Sequence, residues 1–197
     1  MQTKRRNACN TLVMVLAAVC VVAHSALGAI APVAHWTLDA VDKGVVTDAA
    51  GGRNGKVAGQ LRDVAGVEGK SHLFDGATAV VTVPASADLS IGDAPFTVAA
   101  WVNTYGFDRS QQMIVAKNDY AANKREWGLM IDSDDHFAFY LNLGGWRKVL
   151  SKTVPVSGQW CHLAVVAGGG KVALYVNGRQ EEQVEFSGSV EPTGAHR

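Results

Sequence analysis

Residues 160–178, WCHLAVVAGGGKVALYVNG, decide the fold class of this chain. Apolar and other side chains alternate from Lys171 to Val176, which is the period-2 pattern of a β-strand with two different faces. Gly168, Gly169 and Gly170 supply the positive φ angles of a tight hairpin, and Asn177-Gly178 is a strong signal for a second turn. The stretch therefore predicts two antiparallel strands followed by another turn, and nothing in it forms a catalytic pattern.

Strand patterns recur at short spacing through the rest of the chain. In the clearest one, residues 96–102, the even-numbered residues share one face, and the odd-numbered ones, with Trp101 among them, share the other. Further strands are predicted at residues 35–38, 80–83, 113–117, 127–132 and 137–141, the last two forming a hairpin around residues 133–135. Since no stretch shows a helical period, we expect an all-β fold, an antiparallel β-sandwich or jelly roll.

The N-terminus has the organisation of a secretory signal peptide. Three basic residues at positions 4–6 precede an apolar run at 12–22, and Ala26-Leu27-Gly28 provides small residues for cleavage. The apolar run is shorter than the roughly 20 residues of a membrane-spanning helix, although an uncleaved anchor is the competing interpretation. We therefore predict a signal peptide at 1–28, a linker at 29–34, one domain at 35–197, and a secreted or cell-surface location.

Charge and cysteine content narrow the class of partner. Without residues 1–28 the chain has 15 basic and 18 acidic residues, a formal charge of −3. Because no basic stripe is left, we expect neither nucleic acid nor an anionic membrane as a partner. The one remaining cysteine, Cys161, has no partner for an internal disulfide and is predicted to be a small buried hydrophobe in a strand.

Three blocks resemble the laminin-G-like jelly-roll domains of the concanavalin A-like lectin/glucanase superfamily. They are Phe74-Asp75-Gly76 with the strands at 80–84 and 96–102, then Trp160-Cys161-His162-Leu163-Ala164, then Leu174-Tyr175-Val176-Asn177-Gly178. The resemblance covers roughly residues 34–190 in the family's block order. It implies a jelly roll, and it implies that Trp36, Trp101 and Trp160 pack in the core.

The resemblance also implies a closing strand that this sequence does not show. In the family, the Asn-Gly hairpin is followed by one strand and then by a last strand, whereas here residues 184–186 lead into a tail rich in Gly and Pro. Without the last strand a neighbouring edge keeps unpaired backbone groups. We therefore expect an incomplete domain, either truncated or the N-terminal part of a longer protein.

The superfamily includes glucanases, so carboxylate pairs need attention. Retaining glycosidases require two carboxylates about 5 Å apart, and the family's E-x-D-x-x-E pattern is absent. The nearest candidates are Glu126, a whole strand away from the others, and Asp132, Asp134 and Asp135, which fall in a hairpin turn that favours Asp. His162 has no partners for a triad and is interpreted as a structural histidine bonded to a neighbouring strand or loop. We expect no enzyme activity.

Two loops carry oxygen ligands of the kind that calcium binds. Asp48 and Asn54 share one glycine-rich loop, and Asp119 and Asn123 share another. The resemblance to pentraxins implies that the second loop contributes calcium ligands, but the sequence does not show the segment that would complete a pentraxin-type calcium site. The alternative is that these four residues are solvated turn residues without a bound metal, and the sequence does not decide between the two. No Cys/His cluster has the spacing of a zinc site.

Sugar binding requires exposed aromatic rings with polar groups beside them. The aromatic residues in predicted loops are Tyr105, Phe107, Tyr120 and Trp146, with Asp108, Arg109, Asn142 and Arg147 near them. The alternative for each ring is that it covers the edge of the core. We expect a secreted, non-catalytic module that binds a glycan or another extracellular polymer. An accessory domain of a larger glycoside hydrolase or sulfatase, and an adhesive protein–protein module, are the alternatives.

Overall fold

The structure, a computed structural model, describes residues 31–106, 111–119, 122–190 and 192–193. The predicted signal peptide and the predicted ligand-binding residues Phe107, Asp108 and Tyr120 lie outside these ranges. The described strands are β1 (Trp36–Asp42), β2 (Val45–Asp48), β3 (Gly55–Ala58), β4 (Arg62–Ala65), β5 (Lys70–Leu73), β6 (Val80–Thr82), β7 (Phe96–Asn103), β8 (Gln112–Asp119), β9 (Lys124–Ile131), β10 (Phe137–Asn142), β11 (Trp146–Leu150), β12 (Trp160–Gly168), β13 (Lys171–Val176) and β14 (Arg179–Glu185). A short 3₁₀ helix, Ala87–Leu89, precedes β7.

The strands form three four-stranded sheets and one separate hairpin, and every pairing is antiparallel. The N-terminal sheet has the order β1-β2-β3-β6, the central sheet β11-β10-β9-β8, and the C-terminal sheet β14-β13-β12-β7, while β4 pairs only with β5. In the part of the chain that the structure describes, no helix has the length and apolar character needed to cross a membrane. The predicted all-β class is confirmed.

The hydrophobic core lies between the central and C-terminal sheets. The central sheet contributes mainly large residues, among them Leu129, Phe137 and Phe139, and β12 and β13 contribute Leu163, Val165 and Leu174 from the opposite side. The even-numbered residues of β7 pack on the same core, as the alternation at 96–102 predicts. Cys161, only 7% exposed and in the same cluster, is a buried structural residue as expected.

The hairpin predicted from residues 160–178 is present, and its turns follow the glycine pattern. Gly168 pairs with Lys171 across the first turn, where Gly169 and Gly170 have φ of 59° and 75°. The second turn has Asn177 at φ 49° and Gly178 at φ 78°, values that Asn and Gly adopt at little cost. Strand β14 begins directly after Gly178 and runs to Glu185, so strand structure starts earlier than the 184–186 segment suggested.

Two further strands were not predicted. Strand β11 contains Trp146 and Arg147, which the sequence placed in a loop, and it pairs with β10 in the central sheet. Strand β4 pairs with β5 as a small hairpin. Both strands are short and rich in exposed polar residues, and therefore show little apolar alternation.

Candidate functional site

The outer face of the C-terminal sheet, which points away from the core, carries a group of aromatic rings. Since the core side of β12 holds Cys161, Leu163 and Val165, its alternate residues Trp160 and His162 point outward. Trp101 on β7 and Tyr175 on β13 lie on the same outer face. We call the four residues Trp101, Trp160, His162 and Tyr175 the aromatic face.

Trp101 is the most accessible ring of the aromatic face, with 53% of the residue exposed. It lies directly opposite His162 across the β7–β12 pair, and the two ring centroids are 5.1 Å apart at an interplanar angle of 60°. The next outward positions along the two strands are Ala99 and Ala164, also opposite each other. Because alanine is too short to reach over an indole, the tryptophan ring is left uncovered on that side.

Polar groups adjoin these rings on the side of β13 and β14. Tyr175 donates its hydroxyl hydrogen to Oε1 of Gln180, at 2.9 Å, and the two residues are opposite each other in register. Asn177 accepts the backbone N–H of His162 through Oδ1 and donates its own backbone N–H to the carbonyl of His162, both at 2.8 Å. These contacts fix the backbone beneath His162 and the orientation of the Tyr175 hydroxyl.

The interpretation of Trp101 and Trp160 as core residues was therefore wrong. Neither belongs to the buried cluster, and both point outward from their strands. The sequence contained the signal, since the alternation at 96–102 puts Trp101 on the face opposite the apolar set. The ring of His162 packs against Trp101 on the neighbouring strand, and its backbone N–H donates to Asn177 in the turn after β13. Trp36 is half-buried and donates its ring N–H to the carbonyl of Arg53 at 2.8 Å.

The predicted loop residues that the structure describes do not form one surface with each other. Tyr105 is 62% exposed and follows the end of β7, close to Gly106, whose carbonyl accepts the Gln112 side chain at the start of β8. Trp146 and Arg147 begin β11, opposite Asn142 at the end of β10. Since Gln112 and Asn142 occupy opposite ends of the central sheet, the fold separates Tyr105 from Trp146.

Trp146 instead belongs to a smaller cluster on the outer face of the central sheet. The residue is 49% exposed, and its ring meets Tyr140 edge-on with centroids 4.7 Å apart. Tyr140 lies over Gly128, where an added Cβ would come within 2.5 Å of the tyrosine ring, and its hydroxyl accepts a hydrogen bond from the side-chain amide of Asn118. Tyr140 is only 4% exposed, so Trp146 alone offers a ring to a ligand here.

The residues predicted for calcium mostly bind backbone. Asp48 is buried, and its two carboxylate oxygens accept the N–H groups of His35 (2.7 Å), Ala50 (2.9 Å), Gly51 (3.1 Å) and Arg53 (2.9 Å). Asn54 accepts the backbone N–H of Asp48 at 3.0 Å. Burial raises the pKa of Asp48, but the four N–H donors outweigh burial and lower the pKa to about 2. This carboxylate organises the loop after β2.

The second predicted loop shows similar local bonding. Asp119 ends β8 and accepts the backbone N–H of Ala122 at 3.0 Å, while Asn123 has φ of 55° and accepts a hydrogen bond from the Arg125 guanidinium. Among the described residues there is no group of three or more His, Cys, Asp or Glu side chains that could hold a metal ion. Calcium binding by these loops stays a prediction.

Two of the carboxylates considered for glycosidase chemistry, Glu126 and Asp132, are far apart and each lies beside a lysine side chain. Glu126 lies in β9 and Asp132 directly follows that strand. The step of six residues from one position to the other corresponds to a backbone separation of about 20 Å, which is much longer than the distance between the two carboxylates of a catalytic pair. Glu126 is fully buried, with its Oε2 3.7 Å from the Lys117 ammonium. Burial raises the pKa of Asp132, but hydrogen bonds from Lys148 and from the backbone of Asp134 bring it below its usual value. Neither group is placed to act as a general acid on a bound sugar.

Comparison with known proteins gives a family and a fold. Residues 75–196 match the laminin G model that is described as the concanavalin A-like lectin/glucanases superfamily. No curated protein matches the sequence. Among solved structures the chain is similar to domain 4 of AbnA, a GH43 extracellular arabinanase from Geobacillus stearothermophilus, in complex with arabinotriose. The TM-score is 0.64 at 19% identity, over 83% of this chain and 80% of that chain.

Two other solved structures are less similar. An S-layer domain-containing protein from Clostridium thermocellum has a TM-score of 0.48 at 25% identity, over 78% of this chain and 72% of that chain. The carbohydrate binding module CBM66 from Bacillus subtilis has a TM-score of 0.40 at 19% identity, over 68% of this chain and 80% of that chain. Because the laminin G model matches more than half of its residues, the chain belongs to the concanavalin A-like lectin/glucanases superfamily.

Proposed function

We propose that the protein is a secreted, non-catalytic carbohydrate-binding module that holds a glycan on the aromatic face. The observation that carries this proposal is Trp101, a residue that is 53% exposed on β7, the edge strand of the C-terminal sheet, beside His162. The solvent-exposed face of such a tryptophan makes no packing contact with the core, so this face is available to a ligand.

The chemistry of the aromatic face suits sugars. The C–H side of a sugar ring is apolar and packs on the face of an aromatic ring, while its hydroxyls need hydrogen-bonding groups at the margin. Trp101 and Tyr175 offer the rings, and Gln180 and the Tyr175 hydroxyl offer the polar margin. These groups stand on paired strands, so a ligand meets a surface that is already formed.

The proposal that the module lacks catalysis rests on the carboxylates. Glu126 is fully buried beside Lys117, and Asp132 is paired with Lys148, so these two of the acidic groups weighed for hydrolysis have other partners. The similar domain 4 of AbnA was solved with arabinotriose, which makes arabino-oligosaccharides the first probes to use.

A glycan array followed by isothermal titration calorimetry tests the proposal. We expect binding to at least one plant or bacterial polysaccharide, no release of reducing ends during prolonged incubation, and a clearly weaker Kd in Trp101→Ala. Thr97→Ala is the matched control, because Thr97 is exposed on the same outer face and lies two outward positions from Trp101 along β7. Absence of any glycan ligand, or hydrolysis of one, would overturn the proposal. Capture of a protein ligand through Trp101 would favour the adhesive alternative.

A further inference from the structure

We propose that the ligand of the aromatic face is an uncharged oligosaccharide that lies diagonally across the strands, from Trp101 over His162 to Tyr175. This inference rests on the proposed function and specifies the class of glycan, its direction on the sheet and the residue that ends the site. The direction follows from the register of the strands, the class of glycan from the charge of the outer face, and the end of the site from the position of Gln180.

The direction follows from the register. Trp101, His162 and Tyr175 stand on the consecutive neighbours β7, β12 and β13. Trp101 is opposite His162, and Tyr175 is opposite Ala164, which is one outward position further along β12. Two strand spacings and one two-residue step give a backbone span of about 12 Å between Trp101 and Tyr175. The rings therefore form a band across the strands, and one sugar on each of its three rings makes a trisaccharide the smallest ligand that fills it.

One flank of this band is low. On that side lie Ala99 and Ala164, and the next outward positions, Thr97 and Val166, face each other across the same two strands. A ligand lying along the strands towards this flank would leave the aromatic rings after Trp101 and continue over these small residues, whereas the opposite flank holds Trp160 and Asn103. A ligand lying across the strands keeps contact with an aromatic ring at each step.

The absence of charge along the band favours a neutral glycan. The described outward positions from Trp101 to Gln180 hold aromatic, alanine and amide side chains and no Lys, Arg, Asp or Glu. The nearest charges on this face, Lys171 and Glu185, form an ion pair at 3.9 Å beyond Ala173. A uronic acid on the band would lose hydration of its carboxylate without gaining a Lys or Arg partner. A neutral sugar avoids this cost.

Gln180 closes the band and determines specificity at its far end. Its Oε1 accepts the Tyr175 hydroxyl hydrogen, so the hydroxyl oxygen is oriented to accept from a sugar and the amide N–H₂ is left to donate to one. This pair can read two adjacent hydroxyls on the sugar that covers Tyr175. Gln183, opposite Ala173 on the same strand, lies off the band and serves as the control position.

The test is calorimetry with neutral gluco-, xylo- and arabino-oligosaccharides of one to five rings, and with oligogalacturonides of the same lengths. We expect affinity to rise up to the trisaccharide and then level, to change little between low and high salt, and to be about tenfold weaker for the acidic series. Gln180→Ala should weaken trisaccharide binding while leaving disaccharide binding unchanged, and Gln183→Ala should change neither.

The outcomes separate this inference from the proposed function. If no oligosaccharide or polysaccharide binds, the proposed function fails. If glycans bind through Trp101 but the acidic series binds as well as the neutral one, or a monosaccharide already gives full affinity, carbohydrate binding stands and this inference is wrong. Equal effects of Gln180→Ala on disaccharide and trisaccharide would also contradict the placement of Gln180 at the end of the band.

Discussion

Replacing Asp48 by Asn should make the domain less stable, by an amount that depends on pH. The Asp48 carboxylate has no exposed side-chain surface and accepts four backbone N–H groups from His35 and the loop after β2. An asparagine amide has one oxygen in place of two, and its N–H₂ group would face two of those donors. The variant keeps the shape of the side chain and loses two of its four hydrogen bonds.

The magnitude follows from the pKa. Burial raises the pKa of Asp48, and the four donors lower it further than that, from 3.8 to about 2. A pKa that is depressed in the folded state gives stability that is complete above the unfolded value and is lost as the pH falls towards the folded value. A depression of nearly two units corresponds to about 2 kcal/mol at pH 7, and linkage leaves about 1 kcal/mol of it at pH 3.

Urea unfolding, followed by tryptophan fluorescence at pH 7 and at pH 3, measures the effect. We expect Asp48→Asn to lower the free energy of unfolding by about 2 kcal/mol at pH 7 and by about 1 kcal/mol less at pH 3. Other carboxylates titrate alike in both proteins, so they cancel in the difference. A difference that is the same at both pH values would refute the reasoning. Stabilisation of the unmutated protein by calcium, lost in Asp48→Asn, would show instead that Asp48 is a metal ligand.

Two further substitutions probe the central sheet. Gly128→Ala places a Cβ within 2.5 Å of the Tyr140 ring, so we expect a loss of 1 to 3 kcal/mol, roughly, in unfolding free energy, and an unchanged melting temperature would contradict the packing of Tyr140 on Gly128. Glu126→Gln keeps the acceptor for the Thr193 backbone N–H but leaves the buried Lys117 ammonium without its counter-charge. We expect a cost of about 3 kcal/mol by urea unfolding, largely recovered when Lys117→Met is added, and a cost below 0.5 kcal/mol, roughly, would show that the pair contributes little.

Local patterns predicted the hairpin and the core strands well. The turns at Gly169-Gly170 and Asn177-Gly178 need positive φ angles, and Gly and Asn are the residue types that favour them. Strands β9 and β10 are buried apolar runs around an Asp-rich turn. Such features are determined within a few residues, so one sequence shows them. The resemblance to laminin-G-like domains then predicted that these strands form the β-sandwich of that family.

The site was harder to predict, because it depends on which face of a strand the second sheet covers. Alternation assigned Trp101 to the face opposite Val98 and Ala100, yet the resemblance to laminin-G-like domains implied that it packs in the core. The pairing of Trp101 with His162 depends on the register between strands that are about 60 residues apart. The hydrogen bonds that Asp48 accepts from four backbone N–H groups likewise depend on the folded loop. In the sequence alone, an Asp in a glycine-rich segment looks the same whether it binds these backbone groups or a calcium ion.

The most direct test of the account compares glycan affinity in Trp101→Ala with that in Trp146→Ala. Trp101 is 53% exposed, which is about 130 Å² of a tryptophan, and a sugar ring covers about half of it, an area worth about 1.6 kcal/mol. The account predicts a Kd about fifteenfold weaker for Trp101→Ala and an unchanged Kd for Trp146→Ala, with both variants folded by circular dichroism. Unchanged affinity in Trp101→Ala, together with loss of binding in Trp146→Ala, would contradict it and move the site to the central sheet.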